Sequence, residues 1–286
     1  GVGVYTFTFD ALPAWLEQET LALFIPRVGN RFSVHFNGKF LGSSGDINDA
    51  QEDHVNTPHR YVFSRNDMAP KGNVLTLEVY GELARYAGLS EVWVGTDKAI
   101  RPMFVSRNNW QNGGAIVIVG LALCIGVLAL GFGIAMGART QVIFGTAAIL
   151  WGLRNCYVLI TTPPIPHPWW GITVDWLYGL SIVLLTSSLL LTLRIKTRVL
   201  NLILSFIALA TLVMPTAYGL TGVFALRQYW LLILVSGVVA AVGAIFRHWW
   251  RSKNFDSNVL VISSLFALGF ALYDHFAIIY MPSGYG

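Results

Sequence analysis

Two periods run along this chain. Up to about residue 105 apolar and polar residues alternate almost one by one, and from Gly113 onward apolar residues run together. In "YTFTFD" Tyr5, Phe7 and Phe9 share a face; in "RFSVHFNGKFLG" Phe32, Val34 and Phe36 do the same before Asn37-Gly38. A period of two belongs to a strand with one buried face. Asn-Gly between strands marks a hairpin, because both turn residues take positive φ. "TLALFIP", with Leu21, Leu23 and Ile25, then "HRYVFS", "NVLTLEVYG" and "EVWVG" complete the set. Several short strands between turn residues predict an all-β jelly-roll sandwich over residues 1–105.

The remainder, 106–286, predicts an all-α transmembrane bundle. A bilayer core of about 30 Å needs roughly 20 apolar helical residues. Six stretches meet that length: 113–136, 141–162, 174–193, 199–220, 228–247 and 257–280. Gly133 and Gly137 form a small-xxx-small pair that lets helices approach closely. In "PPIPHPWWG" the prolines stop a helix, and Trp169 and Trp170 suit a headgroup interface.

Charge orients the bundle. Arg139 follows the first stretch, Arg194, Lys196 and Arg198 the third, and Arg247, Arg251 and Lys253 the fifth; between the second and third there is no Lys or Arg, and between the fourth and fifth only Arg227. Cytoplasmic links collect Lys and Arg, so the β domain is expected outside, and Gly286 on the same side. The chain opens on Gly1 without a methionine, which fits a removed signal peptide or a missing start.

Composition narrows the function classes. With 55% hydrophobic and 12% charged residues the chain is far from the quarter charged of soluble proteins. The net charge of +4 is gathered around the membrane links, which argues against nucleic acid. Cys124 and Cys156 fall inside apolar runs, with no metal-ligand spacing. The loop "GDINDAQEDH" gathers Asp46, Asp49, Glu52, Asp53 and His54; calcium is conceivable there, but without EF-hand spacing a solvated loop is the expectation. No metal and no cofactor is predicted. Phosphate-loop, zinc-protease and nucleophile-elbow motifs are missing. Ser181 and His275 evoke an intramembrane serine protease only by span count, since Ile182 replaces the glycine that follows a rhomboid serine.

Charges inside the apolar stretches carry the site prediction. Arg154 lies about 13 residues into its stretch, roughly 20 Å deep, and Asp274 about 17 residues into a stretch running the same way, roughly 25 Å. Asp175 opens the third stretch from the outer face. Charges at such depth face the bundle interior or water and mark functional sites or paired contacts. Arg154 is expected to pair with Asp274 or Asp175, with Asn155 and His275 adding hydrogen bonds. A purely structural ion pair and an Arg154 that snorkels to the interface are the competing readings.

The order of these pieces, from "ALFIPRVGNRFSVHFNGKFLG", "NVLTLEVYG" and "EVWVGTDKAIRPMF" to "WGLRN", "PP…WW" and "ALGFALYDHF", resembles bacterial seven-transmembrane receptors with diverse intracellular signalling modules. The resemblance implies a galactose-binding-like jelly roll outside, and a seventh span followed by a histidine kinase or diguanylate cyclase beyond the present chain, which it marks as truncated. It places Arg154, Asn155, Trp169, Trp170 and Asp274 at recurring positions, and Asp175 and His275 join them as ligand or signal-coupling candidates. No catalytic residue is expected here; catalysis would belong to the output domain. Expected partners are a periplasmic ligand, with carbohydrate as the candidate class and Trp93, Tyr61 and Tyr80 as candidate platforms, the lipid bilayer, and a second copy in a homodimer. The alternatives are a small transporter using the Arg154/Asp274 cluster and a structural partner subunit of another membrane protein.

Overall fold

A computed structural model of the chain describes residues 1–12, 15, 20–82, 85, 87–195, 198–252, 258, 261, 262, 265 and 269. Over the described residues the chain divides into two compact units: Gly1–Ile116 with Val158–Pro166, and Val117–Tyr157 with the described residues from His167 on.

Among its described residues the first unit holds seven antiparallel strands: β1 Val2–Phe9, β2 Thr20–Ile25, β3 Arg31–Phe36, β4 Lys39–Ser43, β5 His59–Ser64, β6 Asn73–Tyr80 and β7 Trp93–Thr96. They form one sheet in the order β1-β6-β3-β4 and a second in the order β5-β2-β7. Leu21, Leu23 and Ile25 on β2 and Phe63 on β5 share a buried core with Phe32, Val34 and Phe36 on β3 and Leu75, Leu77 and Val79 on β6. The two sheets therefore close on each other through alternate residues, as the period of two predicts. Asn37 (φ 49°) and Gly38 (φ 80°) make the tight turn between β3 and β4.

β2 is buried on both faces, which is why "TLALFI" reads as an unbroken apolar run rather than an alternation. Ala22 and Phe24, on the side away from the main core, pack with Ile100 and Phe104. Those two residues belong to α1, Asp97–Asn108. Residues 97–105 are thus helix rather than β structure. The Thr96 hydroxyl caps α1 by accepting from Ala99 N at 3.4 Å, and Asp97 supplies the acidic residue favoured in a first turn. A π-helical turn, Asn109–Gly113, joins α1 to α2, Gly114–Ala135, so helix runs from Asp97 to Ala135, 39 residues.

The second unit contains α2 from Val117 on, α3 Arg139–Asn155, α4 Trp169–Thr192, α5 Arg198–Thr221 and α6 Phe224–Ser252. Five helices among the described residues, the first being the whole Asp97–Ala135 run, are long and apolar enough to cross a membrane. They make this a membrane protein. Single described positions from 258 to 269 are helical, and the rest of the predicted 257–280 span lies outside the described residues. Ser181, Ser187, Ser188 and Thr192 on α4 each donate to a carbonyl one turn earlier, which hides their hydroxyls within the helix. Ser181 spends its proton on Tyr178 O at 2.7 Å, which is no arrangement for a nucleophile.

Neighbouring helices run antiparallel. Gly126 and Gly133 on α2 meet Gly145 and Val142 on α3; Gly179 on α4 meets Thr211, and Gly219 on α5 meets Ile172. A Cβ on Gly145 would sit 2.5 Å from Leu130 N, so only glycine permits this backbone approach. The predicted Gly133/Gly137 pair is half corrected: Gly133 takes part, while Gly137 (φ 65°) ends α2 and a Cβ there would touch nothing within 4 Å.

Candidate functional site

The antiparallel order brings the C-terminal ends of α3 and α5 to the same end of the bundle as the N-terminal ends of α4 and α6. Those four ends carry a cluster of charge and aromatic rings. Arg154 and Asn155 close α3, followed by a 3-10 turn at Cys156–Leu159. Arg154 is therefore in the last turn of its helix rather than in mid-span. A cation there is favoured by the partial negative charge of the helix C-terminus.

Its guanidinium stands 5.0 Å from the Tyr178 ring, 5.3 Å from Tyr157 and 5.7 Å from Trp151. Arg154 Nη1 donates to Asn155 Oδ1 at 3.2 Å, and Asn155 Nδ2 donates to Trp151 O at 2.7 Å. Ring faces attract a cation most strongly where water is scarce. Among the described residues, three rings and one amide thus surround the guanidinium.

Asp175, 8% exposed, lies two turns into α4. Its Oδ1 is 3.7 Å from Arg227 Nη2, beyond hydrogen-bonding range, and Arg154 adds a weaker field on the same carboxylate. Arg227, near the start of α6, also stands 5.9 Å from the Tyr218 ring. Among the described residues, then, the ion-pair partner of Asp175 is Arg227, in place of the predicted Arg154. Tyr178 links both halves: its ring makes an edge contact with Trp230 at 6.1 Å and a tilted one with Trp151 at 5.8 Å. Trp230, 1% exposed, donates to Thr211 Oγ1 at 3.3 Å.

No family model matches this chain, and no curated protein matches it. Among solved structures, the β-D-mannosidase of Dictyoglomus thermophilum is similar over 27% of this chain and 8% of its own, at 13% identity and a TM-score of 0.22. The chain spans 8% of that enzyme's length.

Of the predicted site residues, the structure brings Arg154, Asn155 and Asp175 to one cluster. Trp169, 47% exposed, and Trp170 are not in a loop: they open α4, which begins five residues before the predicted 174. Pro168, at the N-cap, has no amide proton to lose and so starts the helix early. Asp274 and His275 lie outside the described residues. Sequence reasoning missed Arg227, Tyr178 and Tyr218 as site residues. Arg227 alone left a signal, as the single cation of its link.

Arg227→Met is expected to destabilise the bundle by about 2 kcal/mol. A buried pair that loses one partner costs roughly 3–5 kcal/mol, but the Arg227 side chain is 28% exposed and water screens it. Adding Asp175→Asn should recover most of the loss. Unfolding in mixed micelles across the double-mutant cycle measures this; additive losses would mean that the two charges do not interact.

In the first unit Asp46, Asn48 and Ala50 of the acidic loop are exposed, and several of its carboxylates accept from the backbone of its own turns. Asp46 Oδ1 accepts from Asn48 N at 2.9 Å, Asp49 Oδ1 from Gln51 N at 2.9 Å and Asp53 Oδ1 from Val55 N at 3.2 Å. Glu52 Oε2 takes Asp46 N at 3.2 Å and sits 3.0 Å from His54 Nε2. No group that could hold a metal ion occurs among the described residues.

Proposed function

We propose that this chain is the sensory and transmembrane part of a bacterial signal-transduction receptor, passing a periplasmic ligand or partner signal to a cytoplasmic histidine kinase or diguanylate cyclase. The reading rests on one observation: antiparallel sheets continue along the chain into apolar helices whose charges are sorted between the two ends. Arg139, Arg194, Arg198, Arg247 and Arg251 fall at the helix ends opposite to Arg154, Asp175 and Arg227. Cytoplasmic ends collect cations, which supports a periplasmic assignment for the helix ends that carry the aromatic cluster.

The sheet unit is, in this reading, a galactose-binding-like jelly roll. Trp93 is 44% exposed. Tyr80 carries Arg31 over its ring at 5.8 Å and donates to Glu78 Oε2 at 3.1 Å, so an aromatic stands beside planar polar groups as sugar sites require. Tyr61 packs instead toward the core. A ligand shifts the helix arrangement only by binding one arrangement more tightly than another. The cluster of Arg154, Asp175 and Arg227 is suited to that, because a cation held by rings and a long ion pair can repack at little cost. Chemistry belongs to the output module.

Alkaline phosphatase fused within residues 158–166 should be active, and fused within Arg194–Arg198 inactive; the reverse pattern overturns the orientation and the receptor reading with it. The gene beyond Gly286 should encode a seventh apolar span and then a kinase or cyclase. Substrate flux through the purified bundle without any output module would favour a transporter using the same cluster.

A further inference from the structure

The loop between β4 and β5 reaches two segments that lead into membrane helices. Asp53 N donates to Thr161 O at 2.8 Å, and Thr161 belongs to Val158–Pro166, within the link from α3 to α4. Three residues further, Asn56 O accepts from Gln111 Nε2 at 2.7 Å. Gln111 lies in the π-helical turn between α1 and α2. Loop, linker segment and π turn are all parts of the first compact unit.

The loop is in turn fastened to the strands. Arg31 on β3 donates to Ile47 O and pairs with Glu82. Asn30 Nδ2 donates to Asp53 Oδ1 at 3.2 Å, and Asn30 O accepts from His54 N at 2.8 Å. Arg85 spreads one guanidinium over two carbonyls, Glu52 O at 3.0 Å and Ala50 O at 2.6 Å. Two arginines thus grip the loop by its backbone, while its own carboxylates rigidify it through turns. Charge-assisted bonds of this kind are about twice as strong as neutral ones. A loop so held transmits displacement instead of absorbing it.

We infer that residues 46–56 form a coupling strut, which carries movement at the Asn30–Arg31 end of β3 to the α1–α2 joint and the α3–α4 link at once. Arg154 is in the last turn of the helix before that link and Asp175 two turns into the helix after it, so the strut acts on the stretch of chain that connects the two charges. A π turn is a natural receiver, because its irregular hydrogen bonding marks sites that change shape. The purpose of the strut rests on the receptor reading; its mechanics do not.

Amide hydrogen exchange of the full chain in lipid nanodiscs tests it. Arg85→Ala should raise exchange in both 158–166 and 109–113 by about tenfold, while β3 and β6 keep their protection. Gln111→Leu should raise 109–113 alone. Exchange that rises in 46–56 with 158–166 and 109–113 unchanged overturns the inference. Should Arg85→Ala loosen the strands as well, a second variant decides. Asp53→Cys with Thr161→Cys, in a Cys124→Ser, Cys156→Ser background, should form a disulfide under mild oxidant and lower exchange in 109–113 about tenfold, since the backbones already touch. A disulfide that forms and leaves 109–113 unchanged, or one that fails to form, overturns it. A gene that stops at Gly286 would remove the receptor reading and leave these exchange results as they are.

Discussion

Phe32→Ala should lower the stability of the sheet unit by roughly 4 kcal/mol, the cost of emptying a large buried aromatic site. Phe32 is fully buried between the two sheets. Its ring meets His59 edge-on at 4.7 Å and Tyr61 at 6.1 Å, both on β5 of the opposing sheet. Its backbone N donates to Ser44 Oγ at 2.9 Å, which ties it to the end of β4. Closely packed strands cannot close the gap, because their spacing is set by hydrogen bonds along their length. Phe32→Leu should cost about half as much. Thermal unfolding of the full chain in nanodiscs, followed by tryptophan fluorescence, measures both; a loss below about 1 kcal/mol for alanine would mean that the sheets do not close over this ring.

Lowering the pH from 7 to 4 should remove up to roughly 3 kcal/mol from the same unit through a single imidazole. Burial, aided by the charge of the neighbouring His54 and opposed by a hydrogen bond to the His54 backbone, holds the His59 pKa down at about 4 against the usual 6.5. Its Nε2 is buried and makes no hydrogen bond among the described residues, so the charged form has nothing to meet its extra proton. The folded pKa lies below the unfolded one. The contribution is therefore complete above pH 6.5 and is lost as pH falls through 6.5 toward 4. His59→Gln should flatten the curve in that window, and Phe32→Ala should shift it toward pH 6.5 by letting water reach the ring. A wild-type stability that is level between pH 6.5 and 4, measured against His59→Gln, would contradict this.

Both effects meet at the foot of the acidic loop. His54 lies 5.9 Å from His59, ring to ring, and bonds Glu52 within the loop. Acidification thus acts on the strand beside the loop, next to the residues that grip it.

The periods of the sequence specified the strands and most of the membrane helices because they are local. Alternation at Phe32, Val34 and Phe36 and the turn at Asn37-Gly38 specify β3, β4 and the face that is buried. Apolar stretches of twenty residues specify membrane helices for the same reason: backbone groups in hydrocarbon must be satisfied within the segment itself. What holds the loop "GDINDAQEDH" was not legible, because carboxylates that form turns and carboxylates that do not look alike in sequence. Its partners, Asn30, Arg31 and Arg85, come from elsewhere in the chain.

By itself the sequence determined that this is a membrane protein with a leading β unit, and singled out Arg154 and Asp175 as charges within its apolar stretches. Only the tertiary structure decided their partners. A pairing depends on which helix ends meet and on which residue faces inward there, and one residue of helix turns a side chain by about 100°. Antiparallel packing through Gly145 and Gly179 fixes that register, delivering Arg227 to Asp175 and three aromatic rings to Arg154.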